Sequence, residues 1–145
     1  FFCIISLEDF MNDYTTTIGK TIYLPFAIGE KINFFNQIVT CVHEHKHVEQ
    51  RSLLFAIRYL LSSKWRARYE AEAYACHIEL YYWCCQEIIS LDELIERFED
   101  YAIDDKGMAA VIKIFDRAAQ LSIEGLYFNE ISREAIAWLS KRGPQ

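Results

Sequence analysis

Near the end of the first third of the chain, residues 41–48 read Cys41-Val42-His43-Glu44-His45-Lys46-His47-Val48. It contains two histidines four positions apart, with a glutamate directly after the first, which is the pattern HExxH. Residues four apart stand one turn above each other on a helix, so both imidazoles can reach one tetrahedral ion. Glu44 projects about 100° away, toward the place where a water molecule on that ion would sit. The spacing therefore predicts a metal site at His43 and His47, with Glu44 placed as a base and not as a ligand.

The residues around this pattern predict a central helix from about Lys31 to Gln50. Its apolar residues fall on one arc, which we expect to be buried: Phe34, Phe35, Ile38, Val39, Cys41, Val42 and Val48. A polar strip lies roughly opposite: Asn36, Thr40, His43, His47 and Gln50. Because an unpaired buried polar group costs on the order of 1 to 3 kcal/mol, the strip needs partners, and a metal ion supplies them. The alternative is that the histidines only hydrogen-bond within a polar seam.

A third protein ligand is expected from the next long helix, which offers two carboxylates. Glu70 shares a helical strip with Tyr74, His77 and Tyr81. Glu72 instead groups with Arg68, Glu79 and Gln86, on a face that we interpret as solvated. Glu70 is therefore the preferred ligand, and the alternative is an exposed salt bridge from Glu70 to Arg66.

An HExxH helix followed, after a helical connector, by a Glu-x-x-Ala helix resembles the gluzincin metallopeptidases, especially their minimal forms. The threonine-rich segment ahead of it resembles the zincin edge strand that aligns an extended peptide substrate. The similarity covers about residues 14 to 85. It implies one zinc ion held by His43, His47 and Glu70, with Glu44 as general base. The chain differs from many gluzincins at Tyr74, where they carry Asp, and at Lys46, where uncharged residues are usual.

Other side chains near the pattern have two interpretations each. His77 lies one helical strip from Glu70 and is a candidate for stabilising an oxyanion, as are Tyr74 and Tyr81, although an aromatic stripe is more often core. His45 falls within the apolar arc, and we interpret it as a core histidine or a partner of a ligand. A second ligand pair formed by His45 and Cys41 is the less favoured alternative.

The rest of the chain predicts a mostly helical α+β fold with a small N-terminal sheet packed on the HExxH helix, which is a zincin-like arrangement. Residues 14–25 are rich in β-branched and aromatic residues around Gly19-Lys20, which predicts a tight hairpin. Further helices are expected at about 65–89, from a capping box of Ser90 and Glu93 toward Tyr101, at 106–120 and at 130–141. The 145 residues predict a single domain, 1–145, in which residues 91–145 form a helical C-terminal extension.

Composition narrows the function classes. A formal net charge of -6 would repel a phosphate backbone, so we expect no nucleic-acid partner. No apolar run approaches the roughly 20 residues of a membrane span. The five cysteines are odd in number and show no CxxC spacing, which indicates packing as small hydrophobes in a reducing, cytoplasmic compartment.

Two functions are consistent with these features. The leading hypothesis is a zinc-dependent peptidase acting on a peptide or protein substrate that lies extended along the strand near residues 14–24. The second is a non-catalytic domain in which a closed metal site staples two helices and the surface binds a partner protein. The sequence leaves the oligomeric state open.

Overall fold

The computed structural model describes residues 16–18, 20–23, 34–101 and 103–141. In that part of the chain, a two-stranded antiparallel hairpin precedes six α-helices and one short 3₁₀ helix. The elements are β1 (Thr16–Ile18), β2 (Thr21–Tyr23), α1 (Phe34–Gln50), α2 (Leu53–Leu61), α3 (Ser63–Cys85), α4 (Leu91–Glu96), the 3₁₀ helix (Glu99–Tyr101), α5 (Asp105–Ile123) and α6 (Glu130–Ser140). The expectation of a mostly helical chain with a small N-terminal sheet is confirmed.

The hairpin has the register that a two-residue turn requires. Thr16 pairs with Tyr23, Thr17 with Ile22 and Ile18 with Thr21, so residues 19 and 20 alone connect the strands. The hairpin packs against α1. The remaining residues of the predicted hairpin, Tyr14, Thr15, Gly19, Leu24 and Pro25, lie outside the described residues, as do the first three residues of the predicted central helix.

Helix α3 is the centre of the fold and separates two apolar clusters. On one side, its small residues Ala67, Ala71 and Ala75 are fully buried and let α5 approach closely through Val111 and Phe115. On the other side, Cys76 and Leu80 pack with residues of α1 and α6, namely Val39, Val42 and Ile136. Residues 91–141 thus pack back onto α3. None of the helices in the described ranges is long and apolar enough to cross a membrane.

A single residue, Ser62, connects α2 to α3 and belongs to the end of both. Its backbone N–H donates to the Arg58 carbonyl at 3.0 Å, which closes α2. Its hydroxyl accepts from the backbone N–H of Trp65 at 3.4 Å, which opens α3. Ser52 caps the other end of α2, where its hydroxyl accepts from the Phe55 N–H at 2.9 Å. Both ends of this nine-residue helix are therefore held by serine caps.

Two helices end earlier than the sequence predicts. Helix α3 stops at Cys85 and not at Ile89, because Gln86 adopts a left-handed backbone conformation with φ of 58° while its N–H still donates to the Tyr82 carbonyl. Helix α4 begins as predicted, with the Ser90 hydroxyl accepting from the Glu93 N–H at 3.3 Å. It ends at Glu96, and the chain continues to Tyr101 as a 3₁₀ helix. The helices predicted at 106–120 and 130–141 are present as α5 and α6.

The predicted buried arc of α1 is wrong in part. Val39 and Val42 are buried, but Phe34 is 57% exposed, and His45, interpreted as a core residue, is also exposed. The buried residues of α1 include Gln37, His43 and Glu44, because the polar strip faces α3 and the apolar clusters cover only its flank. The cysteines differ from expectation too: Cys76 is buried and Cys41 is half-buried, whereas Cys84 and Cys85 are exposed.

Glu79, which the sequence assigns to a solvated face, is 1% exposed. Its carboxylate accepts three hydrogen bonds from the segment that precedes α6: from the Phe128 N–H, from the Asn129 N–H at 3.1 Å and from the Asn129 side-chain amide at 3.2 Å. Burial raises the pKa of this carboxyl against the opposing effect of these bonds. Glu79 thus ties α3 to the start of α6.

The substitution Glu79→Leu is expected to lower the free energy of unfolding by about 2 to 4 kcal/mol, because three N–H donors, two of them on the buried residue Asn129, lose their acceptor. Glu79→Gln keeps an oxygen acceptor and should cost less. Urea denaturation followed by circular dichroism measures both. The exposed residue Glu87 provides the control, and Glu87→Leu should stay within about 0.5 kcal/mol of wild type. Equal midpoints for Glu79→Leu and Glu87→Leu would contradict the structural role of Glu79.

Candidate metal centre

The HExxH residues lie in the C-terminal half of α1, where His43 and His47 face α3 and Glu44 contacts the hairpin. His43 is 8% exposed and Glu44 is 7% exposed, so two consecutive polar residues are buried against the protein interior. His43 and His47 stand one turn apart, with ring centroids separated by 5.1 Å. The helical context that the pattern requires is therefore present.

Helix α3 brings Glu70 against both imidazoles. Its Oε2 lies 3.6 Å from His43 Nε2, and its Oε1 lies 3.5 Å from His47 Nε2. One ligand atom from each of the three residues lies within 4.8 Å of the others. The three residues that the sequence singles out as ligands thus come together in the structure.

The outer nitrogen of each imidazole has its own partner. His47 Nδ1 lies 2.9 Å from Gln50 Oε1, and the Gln50 amide nitrogen donates to the Tyr69 carbonyl and to Glu72. Because the Gln50 oxygen accepts, Nδ1 of His47 carries a proton, and Nε2 is the nitrogen that faces Glu70. His43 Nδ1 lies 3.2 Å from His77 Nε2. Outer partners of this kind orient metal-binding histidines in proteins.

Glu70 and His47 shift each other's pKa. Burial opposes ionisation of the Glu70 carboxyl, but the contacts with the His43 and His47 rings outweigh burial and hold the pKa of the carboxyl well below its usual range. Burial likewise opposes protonation of His47, yet the contact with Glu70 raises its pKa. The 7% exposed carboxylate therefore depends on positive charge supplied from α1.

Tyr59 is a member of this cluster that sequence reasoning missed. Its hydroxyl donates to Glu70 Oε1 at 2.6 Å from helix α2. Burial, followed by the charge of Glu70, raises the pKa of the hydroxyl, so it acts as a donor at neutral pH. Nothing in the local sequence marks this tyrosine, because its partner lies on a different helix and the connecting segment was interpreted only as a helical connector.

Glu44 is held by the hairpin. The Thr17 hydroxyl lies 2.6 Å from Glu44 Oε2 and 3.2 Å from the Glu44 backbone oxygen. A hydroxyl has one proton, so the shorter contact is the hydrogen bond to the carboxylate. Strand β1 thus fixes the orientation of Glu44, which lies between His43 and His47 in the sequence.

Glu72, the second carboxylate that the sequence offers, and Arg66 both lie outside the cluster of candidate ligands. Glu72 contacts Gln50 at 3.1 Å and Arg68 at 3.2 Å, so it reaches His47 only through the glutamine. Arg66 donates to the Tyr59 carbonyl at 3.0 Å. Glu70, and not Glu72, faces the imidazoles.

The structure places His77, Tyr74 and Tyr81 at different positions around the cluster. His77 contacts the Nδ1 side of His43, whereas Glu70 contacts the Nε2 side. Burial, with the charges of His43 and Arg97, lowers the pKa of His77 to about 3, so this ring is neutral. The Tyr74 ring packs on His43, with centroids 4.7 Å apart, and the Tyr81 hydroxyl donates to Asn36. An oxyanion role for His77 stays a prediction, and its position favours orienting His43.

The donor set fits a zinc ion. Zinc bonds of about 2.0 to 2.2 Å in a tetrahedron place neighbouring ligand atoms about 3.3 Å apart. The two Glu70 oxygens lie 3.5 and 3.6 Å from the two Nε2 atoms, one oxygen to each ring, and one ligand atom from each of the three residues lies within 4.8 Å of the others. The three groups would therefore draw closer together to bind one ion. Two imidazoles and one carboxylate, each with a separate hydrogen-bonding partner, are a ligand set that zinc enzymes use. Lys46, the unusual charge in the motif, pairs with Glu49 at 3.2 Å.

Comparisons of this chain with models of known protein families, with curated proteins and with solved structures find no match.

Purified protein is expected to bind about one zinc ion per chain and to gain thermal stability on zinc addition. Removing one of the three candidate ligands by His47→Ala should weaken zinc binding by at least about 100-fold, since each ligand contributes on the order of 3 kcal/mol. Elemental analysis and competition with a chromogenic chelator measure these effects. His45→Ala, an exposed histidine on the same helix, is the matched control and should keep wild-type affinity. Equal zinc loss in both variants would refute the assignment.

Gln50→Ala should lower zinc affinity by about 10-fold, because His47 loses the partner that holds its proton on Nδ1. The readout is the same chelator competition. Gln120, an exposed residue on α5 that donates to Glu124, provides a control in Gln120→Ala. Unchanged affinity in Gln50→Ala would show that His47 needs no outer partner.

Proposed function

We propose that this protein is a zinc-dependent metallopeptidase of the zincin type, with His43, His47 and Glu70 as ligands and Glu44 as general base. The observation that carries the proposal is the convergence of Nε2 of both histidines on the Glu70 carboxylate. Glu44 lies directly after the first ligand, where an HExxH helix carries its base. The proposed substrate is a peptide or a protein, and the bond that is hydrolysed is a peptide bond.

In the proposed reaction, zinc supplies an activated water molecule and a Lewis acid for the scissile carbonyl. Glu44 would take a proton from the attacking water as the water oxygen bonds to the carbonyl carbon, and would give this proton to the amine nitrogen as the C–N bond breaks. Thr17 holds Oε2 of this carboxylate, so we assign the proton transfer to Oε1. Tyr59 and Gln50 keep Glu70 and His47 oriented during the reaction.

The hairpin supports an extended mode of substrate binding. Strands β1 and β2 form a two-stranded sheet, and Thr17 of β1 contacts the proposed base. A peptide that added a strand to this sheet would lie beside Glu44, with its backbone paired to a strand edge. This is the arrangement that the resemblance to zincins implies.

The ligand count favours catalysis over the stapled interaction domain. Structural zinc sites are closed by four protein ligands, whereas catalytic sites hold three and leave one position for water or substrate. Among the described residues, the group within ligand distance has three members. A metal-stabilised interaction domain therefore remains the second candidate, and it predicts that zinc removal unfolds the protein and that no peptide is hydrolysed.

Glu44→Gln is expected to retain zinc and to lower peptide hydrolysis by about 10²- to 10⁴-fold, because the amide cannot accept the proton from water. Hydrolysis of a peptide library is measured by mass spectrometry, with zinc content determined on the same samples. Glu49→Gln, which changes an exposed glutamate on the same helix, should leave both unchanged. Wild-type hydrolysis by Glu44→Gln would exclude this residue as the base.

A further inference from the structure

Helix α2 presents an aliphatic face to the outside of the molecule. Five side chains form this aliphatic face, with exposed fractions of 81% for Leu53, 52% for Leu54, 47% for Ile57, 72% for Leu60 and 82% for Leu61. At about 100° per residue, they fall within an arc of about 120°. No residue of α2 is buried. A contiguous exposed patch of this kind marks an interaction surface.

The opposite face of α2 attaches the helix to the protein. The Phe55 ring packs on Tyr69 with centroids 4.7 Å apart, and the Tyr59 hydroxyl donates to Glu70. A surface helix normally turns its aliphatic residues inward. Here aromatic residues and serine caps hold the helix, so the outward aliphatic face is not needed to dock α2 onto the fold.

The surroundings of the aliphatic face are basic. Five of the 15 basic residues and none of the 21 acidic residues lie between positions 51 and 69, in a chain with net charge -6. Arg51 and Lys64 are exposed, as is Arg68, whose guanidinium pairs with Glu72 at 3.2 Å. The Arg58 guanidinium stacks over the Trp65 ring at 4.2 Å. Although the chain as a whole is acidic, basic residues are in excess around α2 and flank both of its ends.

We propose that α2 docks this protein on an anionic lipid bilayer, with the aliphatic face in the headgroup region and the flanking basic residues on anionic headgroups. Nine residues span about 13.5 Å, too short to cross a hydrocarbon core of about 30 Å, so the helix lies along the surface. Aliphatic side chains bordered by basic residues and a tryptophan are the composition of interfacial helices. Anionic headgroups attract such segments.

The chemistry of the surface favours lipid over the other occupants. A second copy of this chain would bring two sets of like charges together. A nucleic acid would pair with the basic residues but would leave the five aliphatic side chains in water. Protein interfaces carry about one hydrogen bond per 100 to 200 Å², and the aliphatic face offers no side-chain donor or acceptor.

This inference goes beyond the proposed function and does not depend on zinc or on catalysis. The membrane surface would lie on the outer side of α2, and Tyr59 on the inner side contacts Glu70. Substrates held at a bilayer surface would then be presented close to the candidate metal centre.

The test is co-sedimentation of the full chain with phosphatidylcholine vesicles that contain or lack phosphatidylserine. Wild-type protein should bind the anionic vesicles, with affinity that falls as salt rises. Leu60→Gln combined with Leu61→Gln should weaken binding by at least about 10-fold, because two side chains lose their apolar contact. Lys64→Gln should weaken it by about 5-fold on anionic vesicles.

Matched changes on α5 provide the controls. Ile112→Gln combined with Ile123→Gln alters two exposed aliphatic residues, and Lys113→Gln alters one exposed lysine; all should keep wild-type binding. Circular dichroism checks that each variant is folded, and the salt dependence of the wild type is independent of any variant. Absence of wild-type binding, or equal binding to both vesicle types at all salt concentrations, overturns the proposal. So does a wild-type dimer in sedimentation analysis that the Leu60/Leu61 double variant loses while neither form binds vesicles.

Discussion

The arrangement of this fold depends on one buried carboxylate. Glu70 lies between two helices with 7% of its surface exposed, and an ionised group in that position is costly unless opposite charge or hydrogen-bond donors surround it. His43 and His47 supply that compensation from α1 and hold the pKa of the carboxyl low. Helices α1 and α3 must therefore meet at a fixed axial position, since a shift of one residue would remove Glu70 from both rings.

Strand β1 and helices α1, α2 and α3 each contribute a contact to the candidate metal centre or to Glu44 beside it. Thr17 of β1 holds Glu44, Gln50 of α1 holds His47, and Tyr59 of α2 holds Glu70. His77 of α3 lies against the second nitrogen of His43. These contacts account for the inward-facing polar residues of α1.

The sequence predicted what local spacing determines. Helical periodicity located α1 and α3, placed His43 and His47 on one face, and separated Glu70 from Glu72 on the next helix. Contacts between distant segments could not be predicted in this way. Tyr59 and Thr17 act on residues 11 and 27 positions away, and Glu79 is buried by the segment at Phe128 and Asn129, 49 and 50 positions further along the chain. A helical wheel assigns Glu79 to solvent because it contains no information about α6.

The single-residue connection at Ser62 has a mechanical consequence. Its backbone and hydroxyl take part in the last turn of α2 and the first turn of α3, so the corner between these helices has no slack. A surface that binds α2 therefore also fixes the orientation of α3. The candidate metal centre, which includes Glu70 of α3, would then lie at a fixed distance and direction from the surface that binds α2.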